Sequence, residues 1–346
     1  MTASTTTSGL VVVTGGSGYI AAFCIAELLG DRWRVRTTVR NLARADEVRA
    51  SIGKIAPNAG AIEFAAADLN SDAGWAEALA GADYVLHLAS PVPSVGPKNA
   101  DEIIRPARDG ALRVLKAARD AGVKRVVMTS SMAAIAYGRG ERAEPFTEAD
   151  WTDATNLKDT TAYERSKTIA ERAAWKWQKT EGGALELVTV NPALVLGPAL
   201  GSDFSPSLNA IRKLMDRSVP ALPRLGFCLV DVRDTARLHL LAMTAPGVNG
   251  ERFIAASDFY WMKDIAKVLQ QELGEAARNV PSISIPDFMV RIFAIFDPVL
   301  RGRLFELGKR RTVSSDKARR RLGWTTRPVR ETIVETARSL QAQGLV

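Results

Sequence analysis

Hydrophobic residues along the first part of this 346-residue chain fall into two recurring patterns. One is a short β-branched run. The other is a longer stretch in which apolar residues return every three or four positions. Leu10-Val11-Val12-Val13-Thr14 is of the first kind and has no polar break, as expected of a strand covered on both faces of a parallel sheet. Runs at 35–39, 62–67, 84–88 and 125–129 predict further strands. Stretches at 19–29, 75–79 and 100–121 predict intervening helices, and another helical run carries Tyr163, Glu171, Trp175 and Trp177. Regular alternation of strand and helix predicts an α/β fold on a Rossmann-type, doubly wound parallel sheet.

Composition narrows the class. With 47% hydrophobic and 24% charged residues, the chain reads as an ordinary soluble globular protein. The Ser/Thr-rich start, 1–9, has neither a basic region nor an apolar core, so no signal peptide is expected. No apolar run approaches a membrane span. Cys24 and Cys228 lie in apolar sequence and are expected to be reduced, buried thiols of a cytoplasmic protein. The net charge of +8 includes a cluster at Lys309-Arg310-Arg311, Lys317 and Arg319-Arg320-Arg321. It lacks the interleaved aromatics that stack on bases, so it is read as a solvated face and no nucleic-acid partner is expected.

Candidate chemistry begins after the first strand. Gly15-Gly16-Ser17-Gly18-Tyr19-Ile20-Ala21 gives a strand, a glycine turn and a helix start, the order a dinucleotide site requires. Glycines let the backbone approach a pyrophosphate, and the helix N-terminus faces its charge. The second strand ends at Arg40, where an NAD-binding domain usually carries an acid, so NADP(H) is favoured, with Arg44 able to add a second charge. Asp68 ends the third strand and can accept from an adenine amino group or cap the next helix; Asp72 is the better candidate for the cap. The loop 89–94, after the fourth strand, is expected to cross the cofactor. His87 and His239 read as core residues.

Ser130 and Ser131 end the fifth strand, where a hydroxyl can stabilise charge on a substrate carbonyl oxygen. Tyr163 and Lys167 are four apart and share a helix face. A neighbouring ammonium favours the phenolate, which makes the phenol a useful proton donor or acceptor near neutrality. No metal site is expected.

Together, Thr14-Gly15-x-x-Gly18-x-x-Ala21, Asp68-Leu69, Thr129-Ser130-Ser131, Tyr163-x-x-x-Lys167 and Asn191-Pro192-Ala193-Leu194-Val195-Leu196-Gly197-Pro198 resemble an extended short-chain dehydrogenase/reductase. Within that family the chain is most similar to the dihydroflavonol 4-reductase and NADPH-dependent carbonyl reductase branch. The resemblance extends to Asp231-Val232-Arg233-Asp234-Thr235-Ala236 and to the run from Ser315 to Trp324. It implies that Tyr163 is the catalytic acid, that Lys167 lowers its pKa and holds the nicotinamide ribose, and that Ser131 is the catalytic serine, with Ser130 a close competitor. It further implies a pyrophosphate site at Gly15, Ser17, Gly18, Tyr19 and Ile20, with Arg40 on the 2′-phosphate and Asp68 and Leu69 on the adenine. Leu88, Ala89, Ser90, Thr129, Pro192, Ala193, Leu194 and Val195 complete the implied cofactor site.

The resemblance also implies a smaller substrate lobe after Gly197. Stretches 204–217 and 260–273 are read as helices, the second after a short strand at 252–255, and 231–243 as a helix returning to the main domain. The expected division is an NADP-binding domain at 8–200, rejoined by 227–257, and a lobe at 201–226 and 258–346. The amphipathic stretch 286–296 is expected to cover the pocket or to form a dimer surface, so monomer and homodimer both stay open.

Flavonoid reductases carry an asparagine five residues after the catalytic serine; Ala136 stands there, which argues against a dihydroflavonol substrate. The candidate pocket wall is apolar: Pro91, Val92, Met132, Ala133, Tyr137, Phe204, Leu208 and Phe227, with Pro93, Val95, Leu194 and Met215 nearby in the same reading. About half are expected only to pack between the lobes. Such a wall suits a hydrophobic ketone or aldehyde. The alternative is an NAD-dependent nucleotide-sugar epimerase or dehydratase of the same superfamily, which Arg212 and Arg224 keep in view as groups for a diphosphate.

Overall fold

A computed structural model describes residues 8–91, 99–201 and 205–346 of the protein. The β-branched opening run forms β1 (Ser8–Thr14), followed by α1 (Tyr19–Gly30) and β2 (Trp33–Val39). The alternation then proceeds through α2 (Ala45–Gly53), β3 (Glu63–Ala66), α3 (Trp75–Leu79), β4 (Tyr84–His87), α4 (Asp101–Asp120), β5 (Arg125–Thr129), α5 (Ala162–Glu181) and β6 (Glu186–Pro192). β7 (Leu194–Leu196), α6 (Asn209–Met215), β8 (Gly226–Asp231), α7 (Val232–Thr244) and β9 (Arg252–Ala255) come next. The chain ends with β10 (Phe259–Trp261), α8 (Met262–Leu273), α9 (Asp287–Phe296), α10 (Pro298–Arg301), α11 (Asp316–Leu322) and α12 (Val329–Ala342).

The large sheet has the order β3-β2-β1-β4-β5-β6-β9. Its pairs from β3 through β6 are parallel, and Val11 to Thr14 lie in register with Tyr84 to His87. That is the doubly wound Rossmann order, with its reversal between β1 and β4, where the carboxyl ends of the strands open a crevice. Val12, Val85 and Val126 on neighbouring strands are fully buried against Leu115 and Ala118 of α4, Ala174 and Trp177 of α5, and Trp75 of α3. Burial on both faces explains why these strands read as unbroken apolar runs.

The described chain packs as two compact units. One comprises the chain up to Ser130 with Ser166–Val190 and Ala236–Phe253; the other comprises Ser131–Arg165, Asn191–Thr235 and Ile254–Val346. In this grouping 131–165, 191–200, 227–235 and 254–257 go with the second unit. The reason is local bonding: Phe146 bridges Val313 as a strand would, and Ile254 N donates to Glu148 at 3.0 Å.

In the second unit, β10-β8-β7 form a small sheet. Two expected helices begin later than the pattern suggested. Residues 259–261 pair antiparallel with 226–228, and Phe259 meets Trp261 edge to face at 4.9 Å, so the helix expected from Tyr260 starts at Met262. Of the stretch 204–217, 206–208 form a 3₁₀ turn and only Asn209–Met215 is α-helical; Arg217, at φ +62°, ends it. Asp231 is the last residue of β8 rather than the first of a helix. Its carboxylate accepts from Arg233 N at 2.8 Å and from Thr332 Oγ1 at 2.9 Å, tying α12 to the sheet, while Trp324 Nε1 donates to Asp234 O at 2.8 Å.

The amphipathic stretch forms α9, buried through Val290 and Ala294; Phe288, Ile292, Ile295 and Phe296 remain exposed, Phe296 by 82%. Both cysteines are buried and free, and burial pushes both thiols above their ordinary pKa. Among the described residues no helix is long and apolar enough to cross a membrane.

Candidate active site

The first unit presents a glycine turn at the end of β1. Gly15 adopts φ +73°, and a Cβ there would lie 3.1 Å from Cα and Cβ of Ala89. A Cβ on Gly16 would come within 2.3 Å of Thr37 Oγ1. Thr38 braces the turn: its Oγ1 accepts from Gly15 N and its carbonyl from Gly16 N, each at 3.0 Å. Gly18 is the N-cap of α1, without a side-chain cap and with no acid in the first turn. The amides of Tyr19 and Ile20 therefore meet no carboxylate of their own turn, an arrangement that fits a pyrophosphate beside exposed Ser17 and Gly18.

Thr14 couples this turn to the end of β4. Its Oγ1 accepts from the amides of Leu88 at 3.1 Å and Ala89 at 3.0 Å, so its one hydrogen goes to His87 Nδ1 at 2.9 Å. Burial, with Lys167 acting in the same direction, pulls the His87 pKa down to about 3, so the imidazole is neutral and serves as a core acceptor.

Arg40 is exposed and, among the described residues, has no hydrogen bond or ion pair; Arg44 is held by Glu47 at 2.9 and 3.0 Å. A dianionic phosphate is thus met more readily by Arg40 than by Arg44. Asp68 turns on itself, its Oδ1 accepting from Asn70 N at 2.8 Å, and the Leu69 carbonyl accepts from Arg113. Asp72 does not cap α3: Arg113 takes its carboxylate, and the N-cap is Gly74 at φ +83°.

Lys167 Nζ donates to Ser90 Oγ at 3.0 Å. Burial lowers the Lys167 pKa from 10.5 to about 8, with Glu171 opposing the fall. Thr129 Oγ1 is 2.7 Å from His239 Nε2, which leaves His239 a core partner. Ser130 Oγ donates to Glu171 Oε2 at 2.5 Å and is buried.

The second unit holds Ser131 and Tyr163, joined by a hydrogen bond between their side chains. Ser131 Oγ also accepts from Ala133 N at 3.1 Å and makes a long 3.5 Å bond to Pro192 O. Burial raises the Tyr163 pKa; the Ser131 bond and Arg303 pull it back, and Glu164 opposes them. Tyr163 nonetheless keeps 40% of its surface exposed, so the residue stays accessible. Tyr163 and Lys167 both lie on α5, one turn apart. Glu164 N-terminally braces that helix by accepting from Thr161 N at 2.7 Å. Ala193 N donates to Ala255 O at 2.9 Å, and Val195 is buried beside half-exposed Leu194.

Of the expected substrate residues, Met132, Ala133 and Leu208 are buried in packing, as is Met215. Tyr137 and Phe227 are half-buried, and Pro91 is partly exposed. Val92, Pro93, Val95 and Phe204 lie outside the described residues. Ala136 is fully buried, so its position offers no polar contact from a side chain. Arg212 is held by Asp216 at 3.0 Å and Arg224 by Asp287 at 2.6 Å, so each already has a carboxylate and neither is presented as a bare diphosphate clamp.

Sequence reading missed Glu171, Arg303 and the cluster around Arg311. Arg311 Nε donates to Glu306 at 3.1 Å, its NH1 to Ala136 O at 3.1 Å, and its NH2 to Asp159, while its guanidinium lies 4.8 Å from the Tyr137 ring centroid. Only Glu171 carried a sequence signal, its position four residues after Lys167.

Residues 11–256 match the NAD dependent epimerase/dehydratase family. Cinnamoyl-CoA reductase 1 of Petunia hybrida is 31% identical over 340 residues, 97% of this chain and 94% of that protein. Cinnamoyl-CoA reductase 1 of Arabidopsis thaliana is 35% identical over 249 residues, 71% of this chain and 70% of that protein. Among solved structures, yeast methylglyoxal/isovaleraldehyde reductase Gre2 complexed with NADPH superposes with a TM-score of 0.79 at 25% identity, covering 97% of this chain and 100% of that one.

Proposed function

The chain belongs to the NAD dependent epimerase/dehydratase family, and from that premise we propose that it is an NADPH-dependent reductase converting the carbonyl of a hydrophobic ketone or aldehyde to an alcohol. The observation that carries this reading is the Ser131–Tyr163 hydrogen bond, one helical turn before the half-buried Lys167. The reductase names of the relatives and the NADPH of the yeast structure support it.

NADPH, when bound, supplies the hydride. Tyr163 delivers the proton to the substrate oxygen, and Lys167 favours loss of that proton from the phenol. Ser131 donates to the same oxygen; its 3.5 Å bond to Pro192 O is weak enough to be exchanged for a stronger acceptor. Gly15, Ser17, Gly18, Tyr19 and Ile20 hold the pyrophosphate, Arg40 the 2′-phosphate, and Asp68 and Leu69 the adenine. Leu88, Ala89, Ser90 and Thr129 are the first unit's candidates for the nicotinamide ribose, and Pro192, Ala193, Leu194 and Val195 are the second unit's candidates for cofactor contact. For the apolar part of the substrate the candidate residues stay those named from the sequence, Pro91, Val92, Met132, Ala133, Tyr137, Phe204, Leu208 and Phe227. The engaged states of Arg212 and Arg224 weigh against a sugar diphosphate.

The test is NADPH and NADH oxidation across aryl ketones, aldehydes, keto esters and a dihydroflavonol. Turnover with NADPH on bulky apolar carbonyls supports the reading. Silence across the panel, with NAD carried through purification, replaces it with epimerase or dehydratase chemistry.

A further inference from the structure

Glu171 is fully buried on α5, one turn after Lys167, and takes no part in the chemistry described above. Its carboxylate accepts from Ser130 Oγ at 2.5 Å, Arg252 Nε at 2.7 Å, Thr189 Oγ1 at 3.2 Å and Trp175 Nε1 at 3.2 Å. Arg252 NH2 adds a longer bond at 3.4 Å. An ionised carboxylate offers about four acceptor sites, so this one is saturated and its orientation fixed. The donors come from the end of β5, from β6, from β9 and from α5 itself. One side chain thus pins the turn of α5 next to Lys167 onto three strands of the sheet.

We propose that Glu171 is a positioning residue for Lys167, which fixes the turn of α5 bearing the ammonium and preserves its positive charge. The proposal rests on the catalytic reading of Lys167. Ser90 and neutral His87 from the β4 end and Glu171 on its own helix face Lys167, and Tyr163 lies one turn earlier along that helix. Arg252, from β9, faces Glu171 and tempers its charge.

The test is the pH profile of kcat for two substitutions of opposite sign. Glu171→Gln keeps the shape but removes the negative charge, so the basic limb should move down by about one pH unit. Arg252→Gln leaves the carboxylate less compensated, so the limb should move up. Glu171→Asp keeps the charge and should hold the limb near its wild-type position. If Glu171→Gln does not fold, the direction of the Arg252→Gln shift decides. A lower melting temperature and a lower kcat with the limb unmoved in the folded variants would mean a structural strut and overturn the inference. Lys167→Met separates the two readings: if it is inactive while the limb of the Glu171→Gln and Arg252→Gln variants stays put, this inference alone fails, and if it turns over like wild type, the catalytic reading of Lys167 fails and takes this one with it.

Discussion

Ser130 Oγ lies 2.5 Å from Glu171 Oε2, and the bond commits that hydroxyl to a buried carboxylate. The adjacent Ser131 instead reaches Tyr163. Ser131→Ala should therefore lower kcat by about 10²–10³-fold with little change in NADPH affinity, the loss typical of one donor to a developing oxyanion. Ser130→Ala should cost about 1–3 kcal/mol of stability through the unanswered acceptor, with kcat within a few-fold of wild type. Steady-state kinetics beside urea unfolding distinguish them.

Arg40 and Arg44 should separate in the same way. Arg40→Ala is expected to weaken NADPH binding about 10–100-fold and NADH binding hardly at all, in keeping with the loss of charge-assisted bonds to a phosphate. Arg44→Ala should have a smaller effect, since Glu47 already holds that guanidinium. Equal losses for both nucleotides would remove Arg40 from the phosphate.

Lys167 links activity and stability to pH. Its value falls from 10.5 to about 8 on folding because burial disfavours the ammonium. The unfolded chain therefore binds more protons between about 8 and 10.5, so this residue's destabilising contribution is full below about 8 and fades as pH rises through that window. Turnover should decline above about pH 8 as the charge is lost. Lys167→Met should abolish turnover yet raise the melting temperature near neutral pH, the advantage shrinking toward pH 10.5. A destabilised Lys167→Met that keeps its deficit at all pH values would show that the Ser90 bond outweighs the burial cost.

Arg311 is buried between Glu306 and Asp159 and closes over Tyr137. Burial raises the Glu306 pKa, with Arg311 opposing. Arg311→Met leaves buried Glu306 without its cation and Asp159 with Lys309 alone, and should destabilise the protein by about 3–5 kcal/mol, read as a shift of the urea midpoint. A midpoint within error of wild type would mean that water replaces the guanidinium.

What could be read from the chain were features carried by neighbours in sequence. The unbroken run at β1, the glycine turn and the Tyr163–Lys167 spacing are local, and each stands where the pattern put it. What could not be read depended on partners brought together by folding. Ser130 and Ser131 differ only in which of them meets Glu171, 41 positions away from Ser130. Asp72 looked like a helix cap because its distant partner Arg113 is invisible in the local sequence. Tyr260 and Trp261 read as helical until β8 supplied a strand to pair with. Arg224 looked available for a phosphate because Asp287 lies 63 positions on.

The most direct measurement is Tyr163→Phe, followed by single-turnover reduction of a carbonyl shown to be a wild-type substrate and by fluorescence titration with NADPH. The phenol oxygen is the proton donor in this mechanism, so its removal should reduce turnover by about 10²–10⁴-fold while NADPH still binds with nearly wild-type affinity. Turnover close to wild type would contradict the mechanism and free Tyr163 from any role in proton transfer.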